Sequence, residues 1–324
     1  MNPLCILDAI VHHVRFHINT SILRRRAISS SVRVPALDPE SQLSLPTSSN
    51  EPVVFTGADL KYLQLYGPSL IEGIARVTSR LRVHIHIMLL AGEDCDAETR
   101  ALRALLPEDR LTFSLETCET PPDNWHLNSQ FYQVRRFARL AEFVSLNKVD
   151  VLALDIDTVL LRSPEFVQDE WPNHDLLLQV NLGPLRPTPF SCACVWLRPT
   201  ERVRRILRQA SDKMQQHART GFFVDHLDER CFANEVYQIP DMEIAALPDD
   251  FCSTAPETAY IFDGVGDEKS RISTIANASV ADAPSCRAIN SFRQACCVGH
   301  LRQIHFRKAW NRSSFSILWR RILE

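Results

Sequence analysis

The chain has 324 residues, of which 45% are hydrophobic and 23% charged, a balance that suits one large α/β domain or two smaller ones with a substantial core. A formal net charge of −3 argues against bulk nucleic-acid binding, which shows as a basic excess. No apolar run reaches the length of a membrane span. The ten cysteines include no C-x-x-C pair, so a zinc ribbon is unsupported. With no secretory signal read, they are expected to be reduced, buried small hydrophobes of a cytoplasmic protein.

In chain order, residues 4–22 are apolar in patches, interrupted by His12, His13, Arg15, His17 and Asn19, and run into Arg24-Arg25-Arg26. A short amphipathic helix is expected, docking on protein rather than membrane, with peripheral membrane contact as the second reading. Residues 27–52 are rich in Ser, Pro and Thr and read as a linker. The division expected is therefore 1–51 as helix and linker, 52–312 as the main domain, and 313–324 as a tail.

Val53-Val54-Phe55 predicts a short strand, and Thr56-Gly57-Ala58-Asp59 a turn. Leu63, Tyr66, Leu70, Ile74 and Val77 recur at helical spacing, giving a helix over 62–80. The alternation in 83–88 predicts a strand with His84 and His86 on one face. Two histidines on one strand are metal ligands or ordinary packed residues, and nothing acidic lies near them in sequence. A helix over 97–106, a strand over 111–115, a polar loop over 117–128 and a helix over 131–146 follow.

Next comes an apolar run, 149–154, that ends in Asp155-Ile156-Asp157. On a strand the two aspartates share a face. Paired carboxylates beside a core repel unless a cation neutralises them. The tenant expected is a hard divalent ion, Mg²⁺ or Mn²⁺, holding a phosphate as well; the plainer alternative is a pair of solvated acids at a strand end. Strands are also predicted at 176–180, 194–197 and 303–306. A basic helix over 200–217 has Arg202, Arg204, Arg205 and Arg208 on a solvated face, and an acidic helix spans 225–234. Residues 263–285 read as a polar excursion. The alternation of strands and helices indicates βαβ units and a mainly parallel sheet. Ligands of such sheets bind beyond the carboxyl ends of strands.

These segments resemble a known family. Val53 to Asp59 with Tyr62 is similar to the opening of nucleotide-sugar glycosyltransferases, narrowly the bacterial relatives of glycosyltransferase family 8. Phe131-Tyr132-Gln133-Val134-Arg135-Arg136-Phe137 ahead of Asp155-Ile156-Asp157 resembles that family's Arg-bearing helix and D-x-D strand. Phe190 to Thr200 is similar to the stretch before its "v-x-x-x-x-P-t" pattern. The resemblance runs from about Pro52 to Trp310 and implies the GT-A fold, a Rossmann-like central sheet flanked by helices.

It also implies roles. Asp155 and Asp157 would hold Mn²⁺ or Mg²⁺, with His305 as third ligand and His300 as its competitor. Thr56, Gly57, Ala58, Asp59 and Tyr62 would line the nucleotide, with Ile156 between the metal-holding aspartates and Trp310 in the closing segment. Arg136 would face the phosphates or donor sugar, and Asp228 and Glu229 the donor sugar, with Asp225 as second candidate. Lys308 would neutralise the departing diphosphate as a point charge. The implied reaction transfers a sugar from a nucleoside diphosphate donor, expected to be UDP-linked, to an unidentified acceptor hydroxyl, with retention. Two departures stand out: Cys192 and Cys194 replace the usual Asn and Gly, and the ending is shortened to Arg307-Lys308-Ala309-Trp310.

Two rival readings remain open. Asp155 and Asp157 also fit the nucleophile and acid of a haloacid-dehalogenase-type phosphatase, with Asp249-Asp250 as its later Mg²⁺ pair. Against this, that motif opens such domains, whereas about three strands precede it here. The other rival is a binding protein with a decayed glycosyltransferase-like site.

Overall fold

A computed structural model describes residues 51–119, 121–180, 190–219, 224–239, 241–264 and 266–277. The expected N-terminal helix and linker, the 182–189 loop, His300, the 303–306 strand, His305, Lys308, Trp310 and the tail lie outside the described residues.

The described part opens with β1 (Val53–Asp59), α1 (Leu60–Val77), β2 (Arg82–Leu90), α2 (Asp96–Leu105), β3 (Leu111–Cys118), α3 (Trp125–Leu146) and β4 (Val151–Leu154). Then come β5 (Thr158–Leu160), α4 (Phe166–Glu170), β6 (Leu176–Val180), β7 (Phe190–Leu197), α5 (Glu201–Ala218) and α6 (Leu227–Val236). The described part closes with β8 (Ile244–Leu247), β9 (Cys252–Ser253), β10 (Ile261–Asp263), a 3₁₀ turn (Gly266–Arg271) and α7 (Ile272–Asn277).

Seven strands form the central sheet in the order β3-β2-β1-β4-β7-β6-β8. Only β7 runs antiparallel to its neighbours, so the other strands share one carboxyl edge. The fold is thus α/β with a mainly parallel central sheet flanked by helices, as predicted. A small second sheet, β5-β10-β9, stands beside it. Among the described residues no helix is long and apolar enough to cross a membrane.

Helices cover both faces, which explains why β1 and β4 show continuous apolar runs rather than alternation. Odd positions of these strands (Val53, Phe55, Val151, Ala153) pack with Phe137, Phe143, Leu207 and Phe232 of α3, α5 and α6. Even positions (Val54, Leu152, Leu154) pack with Leu63, Leu70, Ile71 and Ile74 of α1. Thr200 caps α5, and Arg202, Arg205 and Arg208 of that helix are exposed as expected, while half-buried Arg204 donates to the Val144 carbonyl at 3.2 Å.

Three local expectations need correction. The segment 56–59 is not a turn: Thr56, Gly57 and Ala58 stay in register with Ile85, His86 and Ile87. The strand ends at Asp59, whose carboxylate accepts from the Tyr62 amide at 2.7 Å and so caps α1. The helix expected from 131 begins at Trp125, because Asn124 accepts from the His126 and Leu127 amides and starts it earlier. Finally, Asp155 and Asp157 do not lie on a strand, because β4 stops at Leu154.

Candidate active site at the carboxyl edge

Just past Leu154 the chain turns. The Asp155 amide still donates to the Ala193 carbonyl of β7 at 3.1 Å, and the Thr158 hydroxyl donates back to the Asp155 carbonyl at 2.8 Å. This brief turn separates β4 from β5 and sets both carboxylates at the sheet's carboxyl edge. The shared strand face expected for them is therefore replaced by a turn, and each carboxylate faces a basic side chain. Arg136 pairs with Asp155, while Lys269 Nζ lies 2.5 Å from Asp157 Oδ2.

Arg136 reaches Asp155 because α3 crosses β1 at Gly57. A Cβ built on Gly57 would lie 2.8 Å from Arg136 Cγ, so a residue without one lets the arginine stem lie flat over the strand. The second guanidinium branch donates to Asp228 Oδ2 at 3.3 Å, bringing α6 to the same point. Neighbouring Glu229 accepts from the Cys192 amide at 3.3 Å and from His226 Nδ1 at 3.1 Å. His226 precedes α6 at φ 50, ψ 46, the one non-glycine residue with positive φ among the described residues. Its other nitrogen lies 3.4 Å from Asp225, and the Glu229 hydrogen bond lifts it to about 8.

Negative charge accumulates here. Burial raises the Asp155 carboxyl, with Asp157 and Asp228 adding to the rise and Arg136 opposing it. Asp228 is raised by burial as well. Asp263, at the end of β10 and paired in register with Thr158, is pushed up to about 7 by burial and then by Asp155 and Asp157. Lys269 stays protonated, since the Asp157 contact outweighs its own burial. Among the described residues, no three His, Cys, Asp or Glu side chains already stand in a metal-holding group.

The predicted site residues thus divide. Arg136, Asp155, Asp157, Asp228 and Glu229 come together, and Asp59 and Tyr62 stand at the same edge, with Tyr62 3.4 Å from Lys269 Nζ. Ala58 and Ile156 are buried in the core on the α1 face. Thr56 is wholly buried, its hydroxyl without a hydrogen-bond partner among the described residues. Asp249-Asp250 follow β8, three strand positions from β4. Cys192 and Cys194 are buried and free, like the other four described cysteines.

Sequence reading missed Lys269, Asp263 and His226. Asp263 had a signal, since Ile261-Phe262-Asp263 repeats the apolar-to-acid ending of β4 on a smaller scale. Lys269 had none, lying in a weakly periodic polar stretch.

No family model and no curated protein sequence matches this chain. Among solved structures it is similar to the glycosyltransferase GlyE of Streptococcus pneumoniae TIGR4, at 14% identity and TM-score 0.44, covering 71% of this chain and 62% of GlyE. It is similar to the bifunctional glycosyltransferase WbbM at 11% identity and TM-score 0.49, covering 79% of this chain and 53% of WbbM. For the galactosyltransferase LgtC, solved with donor and acceptor sugar analogs, the identity is 15% and the TM-score 0.43, covering 69% of this chain and 95% of LgtC. The chain therefore spans less than two thirds of GlyE and of WbbM.

Proposed function

We propose that this chain is a glycosyltransferase of the GT-A type that transfers a sugar from a nucleoside diphosphate donor, UDP-linked by expectation, to an acceptor hydroxyl. The observation that carries the reading is the convergence of Asp155, Asp157, Arg136 and Asp228 at the carboxyl end of β4, in the middle of a mainly parallel sheet. Ligands of such sheets bind at that edge. The carboxylate oxygens of Asp155 and Asp157 are hard donors that fit Mn²⁺ or Mg²⁺. The carboxyl of nearby Asp263 is raised first by burial and then by Asp155 and Asp157, and a cation at those two aspartates would relieve the second part.

Such an ion supplies Lewis-acid stabilisation of charge on the leaving diphosphate. The remaining work falls to side chains. Arg136 orients Asp155 and Asp228 together, leaving Asp228 and Glu229 to face the donor sugar. Asp59 and Tyr62 flank the nucleotide. Lys308 is assigned to the departing diphosphate and His305, with His300 as its competitor, to the metal as third ligand, and retention of configuration is part of the same proposal.

Thermal denaturation with nucleotides and Mn²⁺ tests it. UDP with Mn²⁺ should raise the midpoint by several degrees, as ligand linkage requires, and Asp157→Ala should abolish the shift. Phosphatase activity without any nucleotide effect would favour the dehalogenase-type reading. Absence of both would leave a binding protein.

A further inference from the structure

Lys269 is held by contacts from two separate elements. Its ammonium lies 2.5 Å from Asp157 Oδ2 on the β4–β5 turn, 3.4 Å from the Tyr62 hydroxyl on α1, and 5.0 Å over the Tyr62 ring. Its own 3₁₀ turn is pinned at both ends. Upstream, the Gly264 amide donates to the Asp157 carbonyl at 3.2 Å. Downstream, Ile272 and Ala276 pack on Val159 and Phe262, and Arg76 of α1 donates to the Ala276 carbonyl. The lysine therefore sits on Asp157 because the surrounding fold delivers it there.

A hard cation would take a carboxylate oxygen of Asp157 at roughly 2.0–2.2 Å, and an ammonium already occupies one. Two cations cannot share that oxygen without strong repulsion. The Tyr62 ring, already 5.0 Å from the ammonium, would keep its cation–π attraction when Lys269 leaves the carboxylate.

We propose that Lys269 is a tethered competitor for the divalent ion at Asp157, withdrawing when the donor binds and then pairing with the donor's diphosphate. The inference rests on the donor-site reading above. It makes ion and nucleotide load together: without donor, Lys269 neutralises Asp157 and weakens the site's hold on cations. With donor, phosphate oxygens take over the ammonium and Asp157 is released. Such coupling is reciprocal, each ligand tightening the other by the same factor.

The test measures Mn²⁺ binding to the full chain, by the electron paramagnetic resonance of free Mn²⁺, with and without UDP. The wild type should bind Mn²⁺ weakly alone and more tightly with UDP. Lys269→Met should bind Mn²⁺ alone about tenfold more tightly and show a smaller UDP enhancement. Lys269→Arg, which keeps the charge, should behave like the wild type. The side chain is 32% exposed, but both replacements keep its long unbranched stem, and a thermal midpoint confirms folding.

Unchanged Mn²⁺ affinity in Lys269→Met would overturn the competition. Asp157→Asn tells the two readings apart. If it abolishes Mn²⁺ binding while Lys269→Met changes nothing, the donor site stands and the competitor role falls. If Asp157→Asn binds Mn²⁺ like the wild type, or no form binds it, the donor-site reading fails and takes this inference with it.

Discussion

At the scale of single residues, Arg136 connects three parts of the chain that are far apart in sequence. Its two branches join Asp155 after β4 to Asp228 on α6, over a strand position where only Gly57 leaves room. The Asp228 side chain is 8% exposed, so removing its counter-charge leaves a buried anion held chiefly by the Glu229 amide at 2.9 Å. Arg136→Ala is expected to cost about 2–4 kcal/mol, read as a lower urea midpoint. Arg136→Lys should recover only part of this, since one ammonium cannot reproduce the two-pronged fork. Arg136 and Asp228 were both legible in the sequence as candidates. That one guanidinium serves both carboxylates was not, because 92 residues separate Arg136 from Asp228.

At the scale of elements, the seating of α3 depends on a polar ladder between β2 and β3. His84 contacts the Thr112 and Ser114 hydroxyls, and Ser114 also meets His86 Nδ1, each at 2.9 Å. His86 Nε2 lies 3.2 Å from Glu116, which accepts from Arg139 Nε on α3 at 2.9 Å. Alternation in sequence put both histidines on one face, as found, but their acidic partner lies on the neighbouring strand. Here the histidines are structural, locking the helix that carries Arg136.

Burial alone would raise Glu116, yet the hydrogen bonds from His86 and Arg139 outweigh it and bring the carboxyl down to about 2. A depressed carboxylate stabilises the fold above its unfolded value of 4.5, and that stabilisation is lost as pH falls towards 2. Burial also lowers His84 to about 3 from 6.5, so stability declines further as pH drops through that window, where only the unfolded chain takes the proton. Glu116→Gln should therefore lose about 2–4 kcal/mol near neutral pH. It should also flatten the decline between 4.5 and 2 in urea titrations across pH, leaving only the histidine part.

At the scale of the whole molecule, the small sheet β5-β10-β9 brings Asp263 and Lys269 to the edge formed by the large one. The two are joined through α1, which lies against β5 at Gly73. A Cβ there would stand 3.0 and 3.1 Å from the backbone oxygen and nitrogen of Leu160. Backbone atoms give way less easily than side-chain ends, so Gly73→Ala should cost about 1–3 kcal/mol in urea unfolding. Because β5 follows directly from Asp157, the same change should weaken nucleotide-dependent thermal stabilisation even though Gly73 touches no ligand group.

By itself, the sequence determined the α/β class, the strand and helix succession as far as β4 and the acidic pair, because apolar periodicity and a carboxylate pair beside a core are local patterns. It misplaced the end of β1, because a buried parallel strand tolerates Thr and Gly where an exposed segment would turn. Only the tertiary structure decided that Asp155 and Asp157 lie on a turn, and that Arg136 and Lys269 divide the neutralisation between them. The reason is physical: a charge is compensated by whatever the fold brings within a few ångströms, and that nearness depends on long-range packing that no local pattern records.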